Sequence, residues 1–395
     1  MNQYHPFPHS DSHATAASAA NPLQSSYSGP KIIIDSAVIR RQAKRFAKAM
    51  PRVQAHYAVK ANPHPEVLRT LLNCGVNFEI ASRKELEMLL ALGVDPKSVF
   101  YSNPFKGPQH LSFAVENGVQ WYVIDCIEEM EKVLAVKPDA SLYLRLYTTN
   151  KGSLWPLSSK FGAATDEVMP ILKRAVELKA DLAGVTFHVG SQCTNTENWQ
   201  TGIRESKACF ETMKSLGLKP RLLNLGGGYP MQPSDIIENP TKQQLAPSIE
   251  AIADVINAEL ADLPDDINVI AEPGRYMVAE AGRIICQVIG TTKRGEDRWA
   301  YVDAGFYHGL MELTDAFDTA VTSNHSDEDE QALWTFGGPT CDSIDVFGKG
   351  VDGKGTPLSA KLQSGDFITL HNTGAYVHAC GTEFNGFEPL EVVVI

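Results

Sequence analysis

Short apolar runs alternate with amphipathic stretches along the chain between residues 50 and 280. Eight of these runs predict buried strands; in order they read HYAVKA, VNFEI, SVFYS, WYVID, LYLRLY, GVTFHVG, LLNLGGG and NVIAEPG. The clearest helix between them is SRKELEMLLALG, in which Ser82 and Glu85 predict a capping box and Gly93 predicts the end. Strands alternating with helices predict an α/β fold, a (β/α)8 TIM-like barrel over residues 50–280. A doubly wound open sheet stays open as the alternative, because one misassigned strand would change the topology.

Different patterns flank the barrel. Residues 281–395 are rich in β-branched and aromatic runs separated by turn residues, which predicts a C-terminal all-β domain. Residues 30–49 hold the short strand KIIID and a helix whose predicted N-cap is Ser36, and we expect this strand to join the β domain because the barrel already has eight strands. Residues 1–29 are rich in Ser, Ala, His and Pro, which predicts a disordered tail and no secretory signal.

Charge and cysteine content narrow the class of protein. The 395 residues include 35 Lys and Arg against 47 Asp and Glu, a net charge of −12, which argues against a nucleic-acid-binding surface. No apolar run is long enough to span a bilayer, so we expect no membrane partner. The seven cysteines are scattered and form no CxxC pair, which argues against a disulfide framework and against a metal site. These features predict a cytoplasmic protein.

Polar residues stand where the predicted barrel strands end. In this fold the active site lies at the carboxyl ends of the strands. The ends of the eight strands carry Lys60, Glu79, Asn103, Asp125, Arg145, His188, the triplet Gly226 to Gly228, and Glu272. Each has an ordinary explanation when taken alone, since a lysine at a strand end is more often a surface side chain and a glycine triplet more often a turn. Their combination at one end of the barrel predicts an active site.

The types of residue in this set predict the cofactor. Backbone N–H groups of the glycine triplet can form an anion-binding nest, and Arg275 adds a planar fork for the same anion. A phosphate at these loops, an acid and a lysine together fit pyridoxal 5′-phosphate (PLP). Lys60 would form a Schiff base with the aldehyde, and Glu272 would keep the ring nitrogen protonated. His188 would stack on the ring.

Several segments then resemble one known family. In chain order they are HYAVKANP, FHVGSQ, LNLGGGYP, AEPGRYMV, GGPTCDSID, and TGAY with FNGF. They are similar to the fold-type III PLP-dependent amino-acid decarboxylases, the alanine-racemase-like group with ornithine, diaminopimelate and arginine branches. The resemblance covers residues 30–395 and is strongest to the ornithine branch.

The resemblance implies a role for each matched residue. Lys60, His188 and Glu272 would bind the cofactor ring, and its phosphate would contact Ser191, Gly227, Gly228, Arg275 and Tyr376. Residues of the substrate pocket would be Glu79, Arg145, Asp303, Tyr307 and Asp342. Cys341 would protonate Cα of the substrate and would reach the site from the other subunit of a head-to-tail homodimer.

The resemblance also implies a basic amino acid as substrate. The expected reaction is decarboxylation of L-ornithine to putrescine in polyamine biosynthesis, with dual action on lysine and ornithine as the alternative. The arginine branch has a longer chain and the diaminopimelate branch has Glu in place of Asp342, so both rank lower. In the segment YVDAGFY, animal ornithine decarboxylases carry an acid at the position of Ala304; here the acid is Asp303, on the opposite face of a strand, which leaves the length of the substrate open.

Two other functions share much of this site. An amino-acid racemase would keep Lys60 and the phosphate site but needs a tyrosine where this chain has Cys341. A non-catalytic binding protein, similar to antizyme inhibitors, would keep the fold and lose the cofactor. Retention of Lys60, His188, Glu272, Arg275 and Cys341 argues against the second function.

Overall fold

The computed structural model describes residues 27–231, 246–313, 319–326, 328–349 and 353–395. Most of the predicted tail, residues 1–26, lies outside this range. Tyr27 belongs to the predicted tail but is packed: its hydroxyl donates to Asp303 Oδ2 at 2.6 Å and its ring contacts Phe367 edge-on. Ordered structure therefore extends to Tyr27, inside the segment predicted to be disordered.

Strands and helices alternate through the first two thirds of the chain, and strands dominate the last third. The strands are β1 (Lys31–Ile34), β2 (Val53–Ala58), β3 (Asn77–Ile80), β4 (Phe100–Tyr101), β5 (Trp121–Ile124), β6 (Ser141–Arg145), β7 (Ser153–Trp155), β8 (Asp181–Thr186), β9 (Ser191–Cys193), β10 (Leu222–Asn224), β11 (Asn268–Ala271), β12 (Gly282–Arg294), β13 (Asp297–Val302), β14 (Val321–Ser323), β15 (Gln331–Gly337), β16 (Val346–Phe347), β17 (Thr356–Ser359), β18 (Phe367–His371) and β19 (Glu391–Val394). The helices are α1 (Ser36–Ala49), α2 (Pro65–Asn73), α3 (Arg83–Ala91), α4 (Pro108–Glu116), α5 (Ile127–Val136), α6 (Thr165–Glu177), α7 (Glu197–Ser215), α8 (Ile249–Leu260) and α9 (Arg275–Val278).

Eight parallel strands close into a barrel in the order β2, β3, β4, β5, β6, β8, β10 and β11, with β11 pairing back to β2. This closure confirms the predicted barrel and excludes the open sheet. Alternate residues of the strands face inward, where a separate buried cluster fills the barrel; its members are Phe100, Val123, Tyr143, Leu222 and Ile270. The outward-facing residues, such as Tyr101 and Tyr122, join the larger core beneath the helices.

Local capping sets where the helices begin. Ser82 caps α3 by accepting from Glu85 N, and Glu85 Oε2 accepts from Ala81 N, so the predicted cap is confirmed although the acid reaches one residue further back. Gly93 follows α3 with φ of +79°, a conformation that favours glycine. The predicted cap of α1 is wrong: Asp35 accepts from Ala37 N, and Ser36 is already helical.

A second sheet of nine strands contains β1 and β12 to β19. Its long strand β12 pairs with β1 and β18 along its first half and with β13 along its second half, with a register shift between Val288 and Gly290. The N-terminal strand β1 also pairs in parallel with β19, near the C-terminus. The second sheet therefore combines a strand that precedes the barrel in the sequence with strands that follow it.

One small element was not predicted. Strands β7 and β9 form a two-stranded antiparallel sheet from the loops that follow β6 and β8. Ser191 belongs to β9, and Trp155 ends β7. This sheet therefore brings two barrel loops together at the carboxyl ends of the strands.

Candidate active site

Lys60 leaves the barrel wall immediately after a strand ends. Strand β2 stops at Ala58, and a 3₁₀ turn over Val59–Ala61 carries the lysine into the barrel mouth. Its Nζ lies 3.6 Å from Glu79 Oε1; the lysine side chain is 49 % exposed because it faces the cavity, whereas Glu79 is 3 % exposed. Burial raises the pKa of Glu79 although the Lys60 ammonium opposes the rise, and the negative charge of Glu79 raises the pKa of Lys60. Lys60 is therefore an ammonium in the absence of a covalent partner.

Glu272 is the first residue after strand β11, and its carboxylate is held by two neutral donors. Its Oε1 accepts from Ser102 Oγ at 2.5 Å and from Asn224 Nδ2 at 2.7 Å. Ser102 also shares a hydrogen bond of 2.8 Å with the Tyr143 hydroxyl. Both of these side-chain hydrogen bonds reach the same oxygen, so neutral donors orient the carboxylate.

His188 is held in one orientation by its own loop. Its Nδ1 accepts from Gly190 N at 3.0 Å, so the proton of the neutral ring is on Nε2. Burial holds the pKa of His188 well below its usual range, and the cations Arg145 and Lys60 add to this effect. Asn150 donates to the His188 carbonyl at 2.9 Å, and its own oxygen accepts from two backbone N–H groups of the covering loop. A flat, neutral ring thus forms one side of the cavity.

The glycine triplet packs too closely against its neighbours for side chains. Gly226 and Gly228 have φ of +63° and +101°. A Cβ at Gly228 would lie 2.4 Å from Gly190 O, and a Cβ at Gly227 would lie 2.9 Å from His188 Nε2. Glycine is therefore required at this loop, and it leaves the backbone open toward the cavity.

Arg275 begins helix α9 and is buried in a charged and aromatic environment. Its two terminal nitrogens donate to Glu312 at 2.7 and 2.6 Å, and the second also lies 3.5 Å from Ser191 Oγ. The guanidinium lies 4.9 Å from the ring centroid of Trp155 and 4.7 Å from that of Tyr376. Tyr376 itself has φ of +61°, a strained conformation fixed by its N–H bond to Ala61 O at 2.7 Å.

These groups line one cavity with an empty volume of about 420 Å³, part of which is open to solvent. Nine of the predicted site residues line it. The lining is Ala58, Lys60, Glu79, Leu157, His188, Ser191, Gly227, Gly228, Tyr229, Glu272, Gly274, Arg275 and Tyr376. Arg145 does not line the cavity; it is half-buried, its guanidinium lies 5.2 Å from the ring centroid of Phe161, and it interacts electrostatically with Glu272.

Three other predicted residues lie together on the second sheet, away from this cavity. Asp342 accepts from the Tyr307 hydroxyl at 2.6 Å and from Ile344 N at 3.2 Å. The hydrogen bond from Tyr307 holds the pKa of Asp342 below its usual range. Cys341, next to it, is exposed, and its N–H donates to Asn385 at 2.9 Å. Within a single chain, the thiol and this carboxylate therefore do not meet Lys60.

Asp303 does not line the cavity of its own chain. Its two carboxylate oxygens accept from the Tyr27 hydroxyl and from Gln287 N. Ala304, the next residue, is completely buried. Asp303 therefore contacts the N-terminal segment, and its role in substrate binding stays a prediction.

The sequence analysis did not predict several residues that contact the predicted site residues. Ser102 and Asn224 follow or end barrel strands, so the rule that located Lys60 and Glu272 could have found them as well. Asn103, predicted at the third strand end, instead donates to Ala81 O at 3.4 Å. Glu312 comes from a loop of the second sheet, and no pattern in the sequence indicates that it contacts Arg275.

The described residues contain no group of three or more His, Cys, Asp or Glu side chains arranged for a metal ion. Within the same residues, no helix has the length and apolar character needed to cross a bilayer.

Comparison with known proteins identifies the barrel. The family described as "Pyridoxal-dependent decarboxylase, pyridoxal binding domain" matches residues 36–279. A lysine/ornithine decarboxylase of Selenomonas ruminantium is 33 % identical over 342 residues, covering 86 % of this chain and 82 % of the relative. Antizyme inhibitor 2 of Xenopus laevis is 34 % identical and ornithine decarboxylase of Rattus norvegicus is 32 % identical; each match covers 90 % of this chain and 78 % of the relative.

Solved structures agree with this similarity. An SrLDC variant in complex with PLP has a TM-score of 0.85 at 30 % identity, covering 94 % of this chain and 93 % of the other. An arginine decarboxylase of Paramecium bursaria Chlorella virus, bound to agmatine, has a TM-score of 0.84 at 27 % identity, covering 94 % and 98 %. That enzyme is matched over nearly its whole length, so the expectation that chain length separates this protein from arginine decarboxylases is wrong.

The residues of the cavity fit PLP. The glycine nest, Ser191 and Arg275 gather anion-binding groups at one end, Lys60 supplies an amine, and Glu272 supplies an oriented carboxylate. The family match and the PLP-bound neighbour agree with this set, which confirms the cofactor and the resemblance stated from the sequence. The chain therefore belongs to the fold-type III pyridoxal-phosphate-dependent decarboxylases, the family of the ornithine and lysine/ornithine decarboxylases.

Proposed function

We propose that this decarboxylase converts L-ornithine to putrescine, as a step of polyamine biosynthesis. One observation carries the choice of a diamino acid: Asp342 keeps its negative charge beside Cys341, because it accepts hydrogen bonds from Tyr307 and from Ile344 N. An ionised carboxylate suits the distal ammonium of ornithine or lysine. The relatives that act on ornithine support the same choice.

The proposed roles follow from the chemistry of the side chains. When bound, PLP supplies an electron sink for the bond between Cα and the carboxylate of the substrate. Lys60 Nζ would hold the cofactor through its aldehyde. Glu272 would keep a proton on the pyridine nitrogen, and His188 would contact the cofactor ring. Ser191, Gly227, Gly228, Arg275 and Tyr376 would hold its phosphate.

Water exclusion and protonation complete the reaction. Leu157, whose N–H donates to Asn150, adds an apolar side chain to the lining of the cavity. The thiol of Cys341 would donate a proton to Cα after carbon dioxide leaves, acting as the general acid. Because Cys341 and Asp342 do not line the cavity of their own chain, we propose a head-to-tail homodimer in which each subunit completes the other's site.

Glu79 and Arg145 complete the proposed set near Lys60. Glu79 compensates the lysine ammonium before the cofactor binds, and Arg145 contributes positive charge near Glu272. The cytoplasm is the proposed location, since all seven cysteines are free thiols.

The direct test is a comparison of kcat/KM for L-ornithine, L-lysine, L-arginine and diaminopimelate with purified, PLP-saturated protein. We expect ornithine to lead, with lysine second. A lead of tenfold or more for arginine or diaminopimelate would refute the argument from Asp342. Equal values for ornithine and lysine would establish the dual-specificity alternative, which the lysine/ornithine decarboxylase relative favours.

Two further measurements exclude the non-decarboxylating alternatives. A racemase would destroy the optical activity of the amino acid without releasing carbon dioxide. A binding protein of the antizyme-inhibitor kind, suggested by the Xenopus relative, would show no cofactor absorbance after incubation with PLP. We expect carbon dioxide release and bound cofactor.

A further inference from the structure

The buried guanidinium of Arg275 already has an anionic partner. Glu312 accepts from both of its terminal nitrogens, at 2.7 and 2.6 Å, in a two-bond geometry that matches a phosphate as well as a carboxylate. Glu312 lies in a 3₁₀ turn, Met311–Leu313, that belongs to the second sheet and not to the barrel. The carboxylate therefore approaches the phosphate end of the cavity from outside the barrel.

One nitrogen of Arg275 faces both Glu312 and the phosphate end of the cavity. The nitrogen that donates to Glu312 Oε1 at 2.6 Å also lies 3.5 Å from Ser191 Oγ. Ser191 lines the cavity together with Gly227 and Gly228. A phosphate bound at Ser191, Gly227 and Gly228 would have to share this Arg275 nitrogen with Glu312, or displace Glu312 from it.

A phosphate and the Glu312 carboxylate are both negative, so sharing one nitrogen of Arg275 is unfavourable. A phosphate monoester carries about −1.5 to −2 charges at neutral pH, and a carboxylate a few ångströms away repels it. Arg275 is 4 % exposed and is packed beside Trp155 and Tyr376, so it cannot follow Glu312 outward. Glu312 is 22 % exposed and can return to water at lower cost than a buried acid.

We propose that Glu312 competes with the cofactor phosphate for Arg275, so that loading of PLP displaces the Glu312 carboxylate and the carboxylate sets a limit on cofactor affinity. The inference rests on the PLP site of the proposed function and not on which amino acid is decarboxylated. A wrong assignment of the substrate would leave the predicted binding result unchanged.

The test measures ligand binding and needs no turnover. Protein stripped of cofactor with hydroxylamine is titrated with PLP, and the dissociation constant is determined by equilibrium dialysis. We expect Glu312→Gln, which removes the charge but keeps the shape, to lower the dissociation constant of PLP about tenfold, the value of one charge-assisted hydrogen bond.

A matched control uses the Arg45–Glu250 pair. Glu250 also accepts two hydrogen bonds of 2.7 Å from an arginine, but it is on helix α8 and does not line the cavity. Glu250→Gln is expected to leave the dissociation constant of PLP within about twofold of the parent value, as for a surface pair.

Two probes separate competition for phosphate from a general effect on the cavity. Pyridoxal, which lacks the phosphate, should bind the parent and Glu312→Gln proteins equally. Inorganic phosphate should raise the melting temperature of cofactor-free Glu312→Gln protein at a lower concentration than for the parent. Glu312→Ala serves as a second variant if the glutamine variant does not fold.

The proposal is overturned if Glu312→Gln weakens PLP binding or leaves it unchanged, since Glu312 would then be a fixed partner that positions Arg275. It is also overturned if the variant tightens pyridoxal as much as PLP.

Discussion

At the residue scale, the site depends on small polar groups that orient the charged ones. Glu272 receives hydrogen bonds from Ser102 and Asn224, and neither donor carries a charge that would offset the carboxylate. His188 is oriented in the same way, by Gly190 N on its ring and by Asn150 on its carbonyl. We infer that the reactivity of the cofactor is set as much by these orienting groups as by the residues that touch it.

Ser102→Ala tests this inference. Removing one of two donors to Glu272 Oε1 should lower kcat roughly three- to tenfold, because one hydrogen bond to a charged group is lost. The substrate KM should change little, and PLP should stay bound. Steady-state kinetics and the cofactor absorption spectrum across pH check this expectation.

Ser206→Ala is the control for Ser102→Ala, since Ser206 is buried and donates within helix α7 to Gly202 O instead of to a residue of the site. A loss of PLP from the Ser102 variant, or an equal loss of kcat in both variants, would mean that Ser102 is only a structural residue.

The sequence predicts residues of the site that obey a local rule. Lys60, His188 and Glu272 follow apolar strands, and parallel strands in a barrel bring their carboxyl ends to one rim. Glu312 and Tyr27 follow no such rule, because their contacts with Arg275 and Asp303 depend on how two distant parts of the chain pack. The contact between Asp303 and Tyr27 was therefore not predictable from the sequence around either residue.

At the element scale, the two rims of the barrel differ in chemistry. The cavity lies at the carboxyl ends of the barrel strands, whereas side-chain hydrogen bonds at their amino ends connect three strands. Arg221, which precedes β10, donates to both oxygens of Asp181 at the start of β8, at 2.7 and 2.6 Å. Ser141, at the start of β6, donates to the same carboxylate at 2.8 Å. This link stabilises the barrel at the end remote from the site.

Asp181→Asn should lower the free energy of unfolding by about 1 kcal/mol at neutral pH, a value kept small because both partners are about 40 % exposed. The hydrogen bonds from Arg221 lower the pKa of Asp181, so the native state favours the ionised form. The stabilisation is complete above the unfolded pKa of about 3.9 and is lost as the pH falls through the lower native pKa.

Denaturant unfolding of parent and variant at several pH values measures this difference. The gap between them should shrink as the solution is acidified below the unfolded pKa. A gap that stays constant or grows on acidification would contradict the assignment. Glu177→Gln, which removes an exposed partner of Arg174, should have almost no effect at any of these pH values.

The barrel strands were predictable because parallel strands buried on both faces read as continuous apolar runs. Strands β7 and β9 were not predictable, since SLW and SQC are three residues each and their pairing depends on two loops meeting. The N-cap of α1 is one residue earlier than predicted. Asp35 and Ser36 both belong to residue types that favour the N-cap position, and the pairing of β1 decides where the helix begins.

At the scale of the whole molecule, the residues of the proposed site lie in two separate places. Lys60 and the PLP cavity are in the barrel, while Cys341 and Asp342 are on an exposed loop of the second sheet. Exposed apolar residues surround that loop, among them Ile344, Phe384 and Phe387. A second copy of the chain that covers this surface would bring Cys341 to a cavity, which is the basis of the proposed homodimer.

Mixing two inactive variants tests the shared site. Lys60→Ala and Cys341→Ala should each lose nearly all turnover, and Cys341→Ala should still bind PLP. When equal amounts exchange subunits, half of the dimers are mixed and each has one intact site, so roughly a quarter of the parent activity should return. No recovery in a preparation shown to contain mixed dimers would mean that each chain builds its site alone.

The central claim is that Lys60 holds PLP in the barrel mouth. The most direct measurement is reduction of the PLP-saturated protein with borohydride, followed by digestion and mass spectrometry of the labelled peptide. We predict one phosphopyridoxyl group per chain, attached to Lys60 in the peptide that contains HYAVKANP. A label on another lysine, or no label despite saturating cofactor, would contradict the account.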